Sequence, residues 1–203
     1  MSAAQTGPSA VREATRAHAR GLTETLAAAF VDDPPLCWIL EEPDRAIRQE
    51  RLETFFGPMV RGAIANGLAL HTPGSSAVTL WRIPGRIHPG FFETARALPY
   101  LRRALGSGGQ RAKTVGDTLK DHAPDRAYWY LQFAGVAPDA QGKGLGSKTI
   151  RAGLEQARAA GYPAYLEAAK PGNVAIYQRL GFRIVDEWDI PGGGPHFWGM
   201  LYG

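Results

Sequence analysis

The sequence predicts a single α/β domain. Its length of 203 residues suits one domain and leaves little room for a second. A strand–helix–strand pattern runs through residues 127–168, where an aromatic run and a short apolar run flank an amphipathic segment. The composition is ordinary for a globular protein, with 44% hydrophobic and 21% charged residues. We expect residues 1–10 to form a flexible tail and residues 11–203 to form the domain.

The N-terminal half predicts helices and a pair of strands. Leu22, Leu26 and Phe30 recur every four residues, as on the buried face of a helix. The run Asp33-Pro34-Pro35 is expected to break that helix. Periodicity and turn residues together predict a helix over 15–30, a helix from 43–44 to about 65, strands at 68–71 and 77–83, and a helical segment over 84–126 interrupted at 106–109.

The C-terminal half predicts the remaining elements. They are a buried strand at 127–136, a helix from about 145 to 160, a strand at 164–168, a short helix at 173–180, and a hairpin of 182–190 with 196–201. Because a helix connects the strands at 127–136 and 164–168, we expect those two strands to be parallel.

Charge and composition argue against several classes of protein. The net charge is +4, and the cations are scattered, so neither a nucleic-acid partner nor a membrane partner is expected. The N-terminus lacks the features of a signal peptide, and no apolar run approaches the length of a membrane span, which favours a cytoplasmic protein. The single cysteine, Cys37, and five widely separated histidines show no metal-ligand spacing, so no metal is expected.

A glycine-rich loop at 136–147 leaves a strand and opens a helix. The free N–H groups of a helix start attract anions, and glycines allow the backbone to approach phosphate oxygens closely. The loop does not fit a Walker motif, because position 137 is alanine and Gly144 follows Lys143. A dinucleotide fingerprint fails because Ser147 and Thr149 occupy the possible third glycine positions. The alternative interpretation is a turn without a ligand.

The loop resembles the acetyl-coenzyme A signature of the GNAT superfamily of N-acetyltransferases. The core pattern Gln/Arg-x-x-Gly-x-Gly/Ala is matched by Gln141, Gly144 and Gly146. The run from Asn173 through Tyr177 to Gly181-Phe182 is similar to the second motif of the superfamily. Within the superfamily the pattern is most similar to the puromycin N-acetyltransferase-like group.

The resemblance implies a largely antiparallel, mixed sheet of about six or seven strands, with a V-shaped splay that holds acetyl-CoA. The backbone of the glycine loop would bind the pyrophosphate, and the strand edge at Ala134 and Val136 would pair with the pantetheine arm. An N–H group near Val136 would stabilise the oxyanion. The implied coenzyme-binding residues are Ala134, Val136, Gln141, Gly142, Lys143, Gly144, Leu145, Gly146, Ser147, Asn173 and Tyr177.

The resemblance also implies two catalytic residues. Tyr177 would protonate the leaving thiolate, and the alternative is that it packs under the sheet with its hydroxyl on a carbonyl. Glu167 would take a proton from the acceptor or bind its positive charge, and the alternative is a solvated glutamate at a sheet edge. His122 could line the acceptor pocket or lie in a loop.

We therefore expect an acetyl-CoA-dependent N-acetyltransferase that uses direct attack by a primary amine in a ternary complex. The expected acceptor is a small molecule, such as an aminonucleoside. Acetylation of a protein or peptide is one alternative, and a non-catalytic acyl-CoA sensor on the same fold is another. The oligomeric state stays open.

Overall fold

The computed structural model describes residues 10–203, so the first nine residues of the expected tail lie outside the described residues. The strands are β1 (Arg12–Glu13), β2 (Leu68–His71), β3 (Ala77–Arg82), β4 (Trp129–Val136), β5 (Ala164–Ala168), β6 (Arg183–Asp189) and β7 (His196–Tyr202). The helices are α1 (Ala19–Phe30), α2 (Pro34–Leu40), α3 (Arg45–Asn66), α4 (Phe91–Leu105), α5 (Gly109–Asp121), α6 (Leu145–Ala159) and α7 (Pro171–Arg179). Short 3-10 turns precede α1, β3 and α5, and a fourth, Pro138–Ala140, lies within the glycine loop.

The strands form one seven-stranded sheet in the order β1-β2-β3-β4-β5-β7-β6. All neighbouring pairs are antiparallel except β4 and β5, which are parallel as the strand–helix–strand unit predicts. In the pairing of β4 with β5, Trp129 lies opposite Ala164 and Tyr130 lies opposite Tyr165. Beyond Tyr130 the two strands diverge. The predicted single α/β domain with a splayed, mostly antiparallel sheet is therefore confirmed.

A β-bulge in β4 changes which face its side chains occupy. Leu80 of β3 pairs with Phe133, whereas the next residue, Trp81, pairs with Leu131, so Gln132 is the extra residue. Before the bulge, Leu131 packs on the α6 side of the sheet. After it, Phe133 packs among the helices on the opposite side, and Ala134 faces α6. Leu131 and Ala134 therefore both face α6, whereas regular alternation would place Leu131 and Phe133 on the same face.

Helices cover both faces of the sheet. Helices α1 and α3 pack on one face with α2 and α5, around fully buried residues such as Leu26 and Phe56. Helix α6 covers the other face, where Trp81, Ile150 and Leu154 form the core with residues of β5 and β7. Burial of side chains of this size contributes about 1.5–3 kcal/mol each to folding.

Two elements were absent from the sequence-based expectation. The Asp33-Pro34-Pro35 run does end the first helix, but it also begins α2, because proline suits the first turn, where its missing N–H costs nothing. The two-residue strand β1 pairs with β2 at the edge of the sheet. The predicted helix from 43–44 to about 65 corresponds to α3, which begins at Arg45 because the Asp44 carboxylate accepts the N–H groups of Ala46 and Ile47.

Replacing Gly153 by alanine is expected to destabilise the protein by about 1–3 kcal/mol. Gly153 lies in α6 against the fully buried Trp81, and a methyl group at this position would overlap the indole ring. Urea unfolding monitored by circular dichroism measures the change. Gly172→Ala is the control, because a methyl group there meets no atom within 4 Å. Equal stability of the two variants would contradict the expected close packing of α6 on Trp81.

Candidate active site

A cavity of about 600 Å³ lies where β4 and β5 diverge. It is bounded by the end of α1, the end of β4, the start of α6 and α7. Residues from β4, the start of α6 and α7, but none from α1, were expected to bind the coenzyme. Those that line the cavity are Ala134, Val136, Gln141, Gly142, Gly144, Leu145, Gly146, Ser147, Asn173 and Tyr177. Lys143 is apart from them, since its Nζ donates to the Asp139 carbonyl at 2.9 Å and its side chain does not line the cavity.

The glycine loop presents unpaired backbone N–H groups to the cavity. Gly142 and Gly144 have φ angles of +75° and +72°, a region that other residues rarely adopt, and Gly144 directly precedes α6. The Lys148 N–H donates to the Gly144 carbonyl, so the three preceding N–H groups have no partner within the helix. Together with the positive end of the helix dipole, these groups can bind an anion such as a pyrophosphate.

The edge of β4 faces the cavity with free backbone groups. The N–H of Ala137 donates to the Ser76 carbonyl on the β3 side at 2.9 Å. Because bonded positions alternate along an antiparallel ladder, the backbone groups of Ala134 and Val136 point away from β3, toward the splay. The Gln141 side-chain amide already donates to the Val136 carbonyl at 3.3 Å. The N–H of Val136 and the backbone of Ala134 can therefore pair with an extended ligand.

Tyr177 combines burial with a position on the cavity wall. It lies one helical turn after Asn173 on α7, and both residues line the cavity. Burial, followed by the negative charge of Asp33, raises the pKa of Tyr177 to about 12, so the phenol keeps its proton at neutral pH. The ring packs 5.9 Å from that of Phe182, but among residues 10–203 its hydroxyl makes no hydrogen bond to a carbonyl. The hydroxyl is thus available to a ligand.

Glu167 lies on the other side of β5 from the α6 core. The strand is inside the sheet, between β4 and β7, so the interpretation of Glu167 as a solvated edge residue is wrong. Its Oε2 accepts a hydrogen bond from the Tyr130 hydroxyl at 2.7 Å. Burial raises the pKa of Glu167 from 4.5 to about 7, although the hydroxyls of Tyr130 and Tyr165 act in the opposite direction. The carboxyl group can therefore exchange a proton near neutral pH.

His122 follows α5 and contacts Trp188 and Tyr165, next to Glu167. Its ring stacks on that of Trp188, with 4.1 Å between the ring centres, and its Nδ1 lies 2.7 Å from a carboxylate oxygen of Asp186. Its backbone carbonyl accepts a hydrogen bond from the Tyr165 hydroxyl at 3.3 Å. The histidine thus lies in the turn after α5, as the loop alternative predicts, and contacts Tyr165 beside Glu167.

Asp33 and Lys170 form a pair on the cavity wall that the sequence analysis did not single out. A carboxylate oxygen of Asp33 lies 3.7 Å from Nζ of Lys170. Burial raises the pKa of Asp33 to about 6, partly offset by the charge of Lys170. In the sequence, Asp33 is explained by its place before two prolines, and its approach to α7 is visible only in three dimensions.

Comparison with known proteins identifies the fold. Residues 110–182 match the model of the acetyltransferase (GNAT) family. A structure described as histone acetyltransferase HPA2 and related acetyltransferase from Corynebacterium glutamicum has a TM-score of 0.70 and 23% identity, covering 94% of this chain and 93% of that one. The chain has the GNAT fold. Polyamine N-acetyltransferase of Drosophila melanogaster is also similar, with a TM-score of 0.58, 16% identity and coverage of 94% and 97%.

A curated relative extends the comparison. An uncharacterized N-acetyltransferase of Schizosaccharomyces pombe is 28% identical over 169 residues, which cover 78% of this chain and 68% of the relative. The matched segment and this relative are thus similar to GNAT acetyltransferases in sequence, and the structural neighbours show the GNAT fold. The more specific puromycin N-acetyltransferase-like grouping stays a prediction. The segment that matches the GNAT model contains the glycine loop, Glu167 and Tyr177, but not Asp33.

Two further features of the GNAT domain concern metals and membranes. Across residues 10–203, no three or more His, Cys, Asp or Glu side chains are grouped so that they could hold a metal ion. The expectation that the protein needs no metal stays a prediction. No helix in the described part of the chain is long and apolar enough to cross a membrane.

Replacing Gly144 by alanine is expected to weaken acetyl-CoA binding about fivefold, because a side chain in the left-handed region costs about 1 kcal/mol. The strained loop would turn its N–H groups away from the ligand. Gly161→Ala is a matched control, since Gly161 follows the same helix with a φ of +78° and similarly open surroundings but does not line the cavity. Calorimetric titration measures both affinities. Equal affinities would remove the Gly144 turn from the binding site.

Proposed function

We propose that this protein transfers an acetyl group from acetyl-CoA to the primary amine of a small molecule, with both substrates bound together. The proposal rests on one observation, which is that the glycine loop, the free edge of β4 and Tyr177 all line the same cavity. This arrangement offers an anion site, backbone pairing groups and a proton donor within the same space. The GNAT fold and the matching family model support it.

The residues of the cavity fit acetyl-CoA. The unpaired N–H groups at the start of α6 suit the pyrophosphate, and Arg179 adds positive charge to the same wall. Gly146 keeps the approach to β4 open, since a methyl group there would lie 3.0 Å from a methyl group of Val136. The β4 edge at Ala134 and Val136 suits the amides of an extended pantetheine arm.

When bound, acetyl-CoA supplies an activated thioester. The proposed role of Glu167 is to accept a proton from the acceptor ammonium, directly or through water, because only a neutral amine is nucleophilic. The Val136 N–H is proposed to stabilise the negative charge that develops on the carbonyl oxygen. As the new C–N bond forms and the C–S bond breaks, Tyr177 is proposed to give its phenolic proton to the sulfur.

A small acceptor is favoured by what lies beside Glu167. The end of α5 contacts Tyr165 and Trp188, through the stacking of His122 on Trp188 and the Tyr165–His122 hydrogen bond. In this proposal α5 limits the space on this side of the sheet to a small acceptor. One structural neighbour is a polyamine N-acetyltransferase that forms N-acetylagmatine, so agmatine and other polyamines belong among the acceptors to be tested.

The test combines calorimetric titration with acetyl-CoA and an assay of free-thiol release over a panel of amines. The panel contains aminonucleosides, agmatine and other polyamines, and peptides with lysine or a free N-terminus. We expect binding, and thiol release with one class of small amine. Release with peptides alone would favour protein acetylation, and binding without release with any amine would favour the acyl-CoA sensor. Absence of acetyl-CoA binding would overturn the proposal.

A further inference from the structure

A second cavity, of about 880 Å³, lies at the other end of α1 from the candidate active site. It is formed by the start of α1, the end of α3, the loop before α4 and the first turns of α4. Ala19 lines this second cavity and Ala29 lines the first, which places them about 15 Å apart along the helix. The two cavities share no lining residue. The second cavity is therefore a separate space.

Four arginines on the wall of the second cavity lack an acidic partner. They are Arg16, Arg61, Arg86 and Arg96, and none lies within ion-pair distance of a carboxylate in the described part of the chain. Residues 1–9 contain no aspartate or glutamate that could neutralise them. A concave surface focuses the field of such charges and attracts anions, and guanidinium groups bind carboxylates and phosphates through paired hydrogen bonds.

The carboxylate on this wall does not cancel the positive charge. Glu93 lines the cavity, but its Oε1 accepts a hydrogen bond from the buried Arg82 at 2.6 Å. Its other oxygen accepts from the Asn66 amide at 3.0 Å. Because Arg82 carries one positive charge, the Glu93–Arg82 pair is neutral. The four wall arginines thus keep their net charge.

The same cavity has an aromatic wall. Phe91 and Phe92, at the start of α4, are 80% and 73% exposed. Their rings pack edge to face, with 5.5 Å between the ring centres. Burial of a phenylalanine side chain is worth about 1.5–3 kcal/mol, so covering these rings would favour binding. Tyr100 also lines the cavity, and the guanidinium carbon of Arg61 lies 5.0 Å from the centre of its ring. Guanidinium and aromatic groups thus line the same space.

We propose that the second cavity is a binding site for a small organic anion that carries an aromatic ring and at least two negative charges. The unpaired arginines bind the charged groups, and Phe91 and Phe92 cover the ring. The volume is in the range of small-molecule sites, about 300–1,000 Å³. This site is independent of the proposed acetyl transfer, and it holds whether or not that activity is found.

The experiment uses 1-naphthyl phosphate as the probe, titrated calorimetrically into the full chain at low ionic strength. The wild-type protein is expected to bind it, and the double variant R61Q/R96Q is expected to bind at least about tenfold more weakly because two charge-assisted contacts are lost. The matched control is R102Q/R103Q. It removes two exposed arginines from α4 that do not line the cavity, so it changes the net charge equally and should alter the affinity less than about twofold.

Two further arms locate the probe and test the aromatic contact. Saturating acetyl-CoA should leave the affinity for 1-naphthyl phosphate unchanged. The variant F91S/F92S should weaken binding of 1-naphthyl phosphate but not of inorganic phosphate. Thermal unfolding of each variant checks that it is folded. No wild-type binding at millimolar probe, equal weakening in the two arginine pairs, or displacement of the probe by acetyl-CoA would each overturn the proposal.

Discussion

Replacing Tyr177 by phenylalanine is expected to lower kcat about a hundredfold, within the usual contribution of a general acid. The KM for acetyl-CoA should change little, because the ring that lines the cavity is kept and only the hydroxyl is removed. Burial and the charge of Asp33 hold the pKa of this phenol at about 12, so the wild-type group is protonated over the whole working range of pH. Steady-state kinetics with a saturating amine measure the effect.

Tyr162→Phe is the control for the Tyr177 variant. Tyr162 follows α6, is exposed and does not line the cavity, so its loss should leave kcat unchanged. Calorimetric titration of both variants with acetyl-CoA separates catalysis from binding. Unchanged turnover in Tyr177→Phe would remove this residue from the mechanism. A loss of affinity equal to the loss of turnover would instead make it a binding residue.

Replacing Glu167 by glutamine is expected to lower kcat/KM for the amine about a hundredfold and to change the pH profile. A base must be ionised to accept a proton. Since burial raises the pKa of Glu167 to about 7, the wild-type rate should fall about tenfold for each pH unit below 7. Glutamine cannot titrate, so this part of the profile should become shallower. A pH series of initial rates measures it.

Two measurements separate a catalytic from a structural effect of Glu167. Glu155→Gln, at an exposed position of α6, should keep the wild-type profile. The raised pKa also means that folded Glu167 binds its proton more tightly than the unfolded chain does, so wild-type stability should fall as pH rises from 4.5 to about 7. Thermal unfolding of Glu167→Gln should vary less over this range. An unchanged acidic limb in the rate profile would exclude Glu167 as the base.

Local patterns were sufficient to predict most of the secondary structure and the main loop. The four-residue repeat that ends at Phe30 predicts a helix, and the glycines after Val136 predict a turn. Both structures depend on residues that are close together in the sequence. The parallel pairing of β4 and β5 follows from the helix that connects them. The residues that we expect to bind the coenzyme come together because most of them follow one another from β4 into α6.

What the sequence could not predict depends on contacts between distant residues. The pKa of Glu167 is raised by burial, and it is lowered by the hydrogen bond from Tyr130, which is 37 positions earlier in the sequence. The pairing of Asp33 with Lys170 joins the α1–α2 turn to the start of α7. The bulge at Gln132 leaves no local signal, because the pairing with β3 decides which residue is the extra one.

The bulge in β4 makes one change in the length of this strand tolerable during evolution. Gln132 is the extra residue, so deleting it would leave Leu131 and Phe133 on opposite faces in a regular ladder with β3. Ala134 and Val136 would keep their directions. The loss would fall on buried Arg82, whose Nε donates a hydrogen bond to the Gln132 side chain at 3.1 Å.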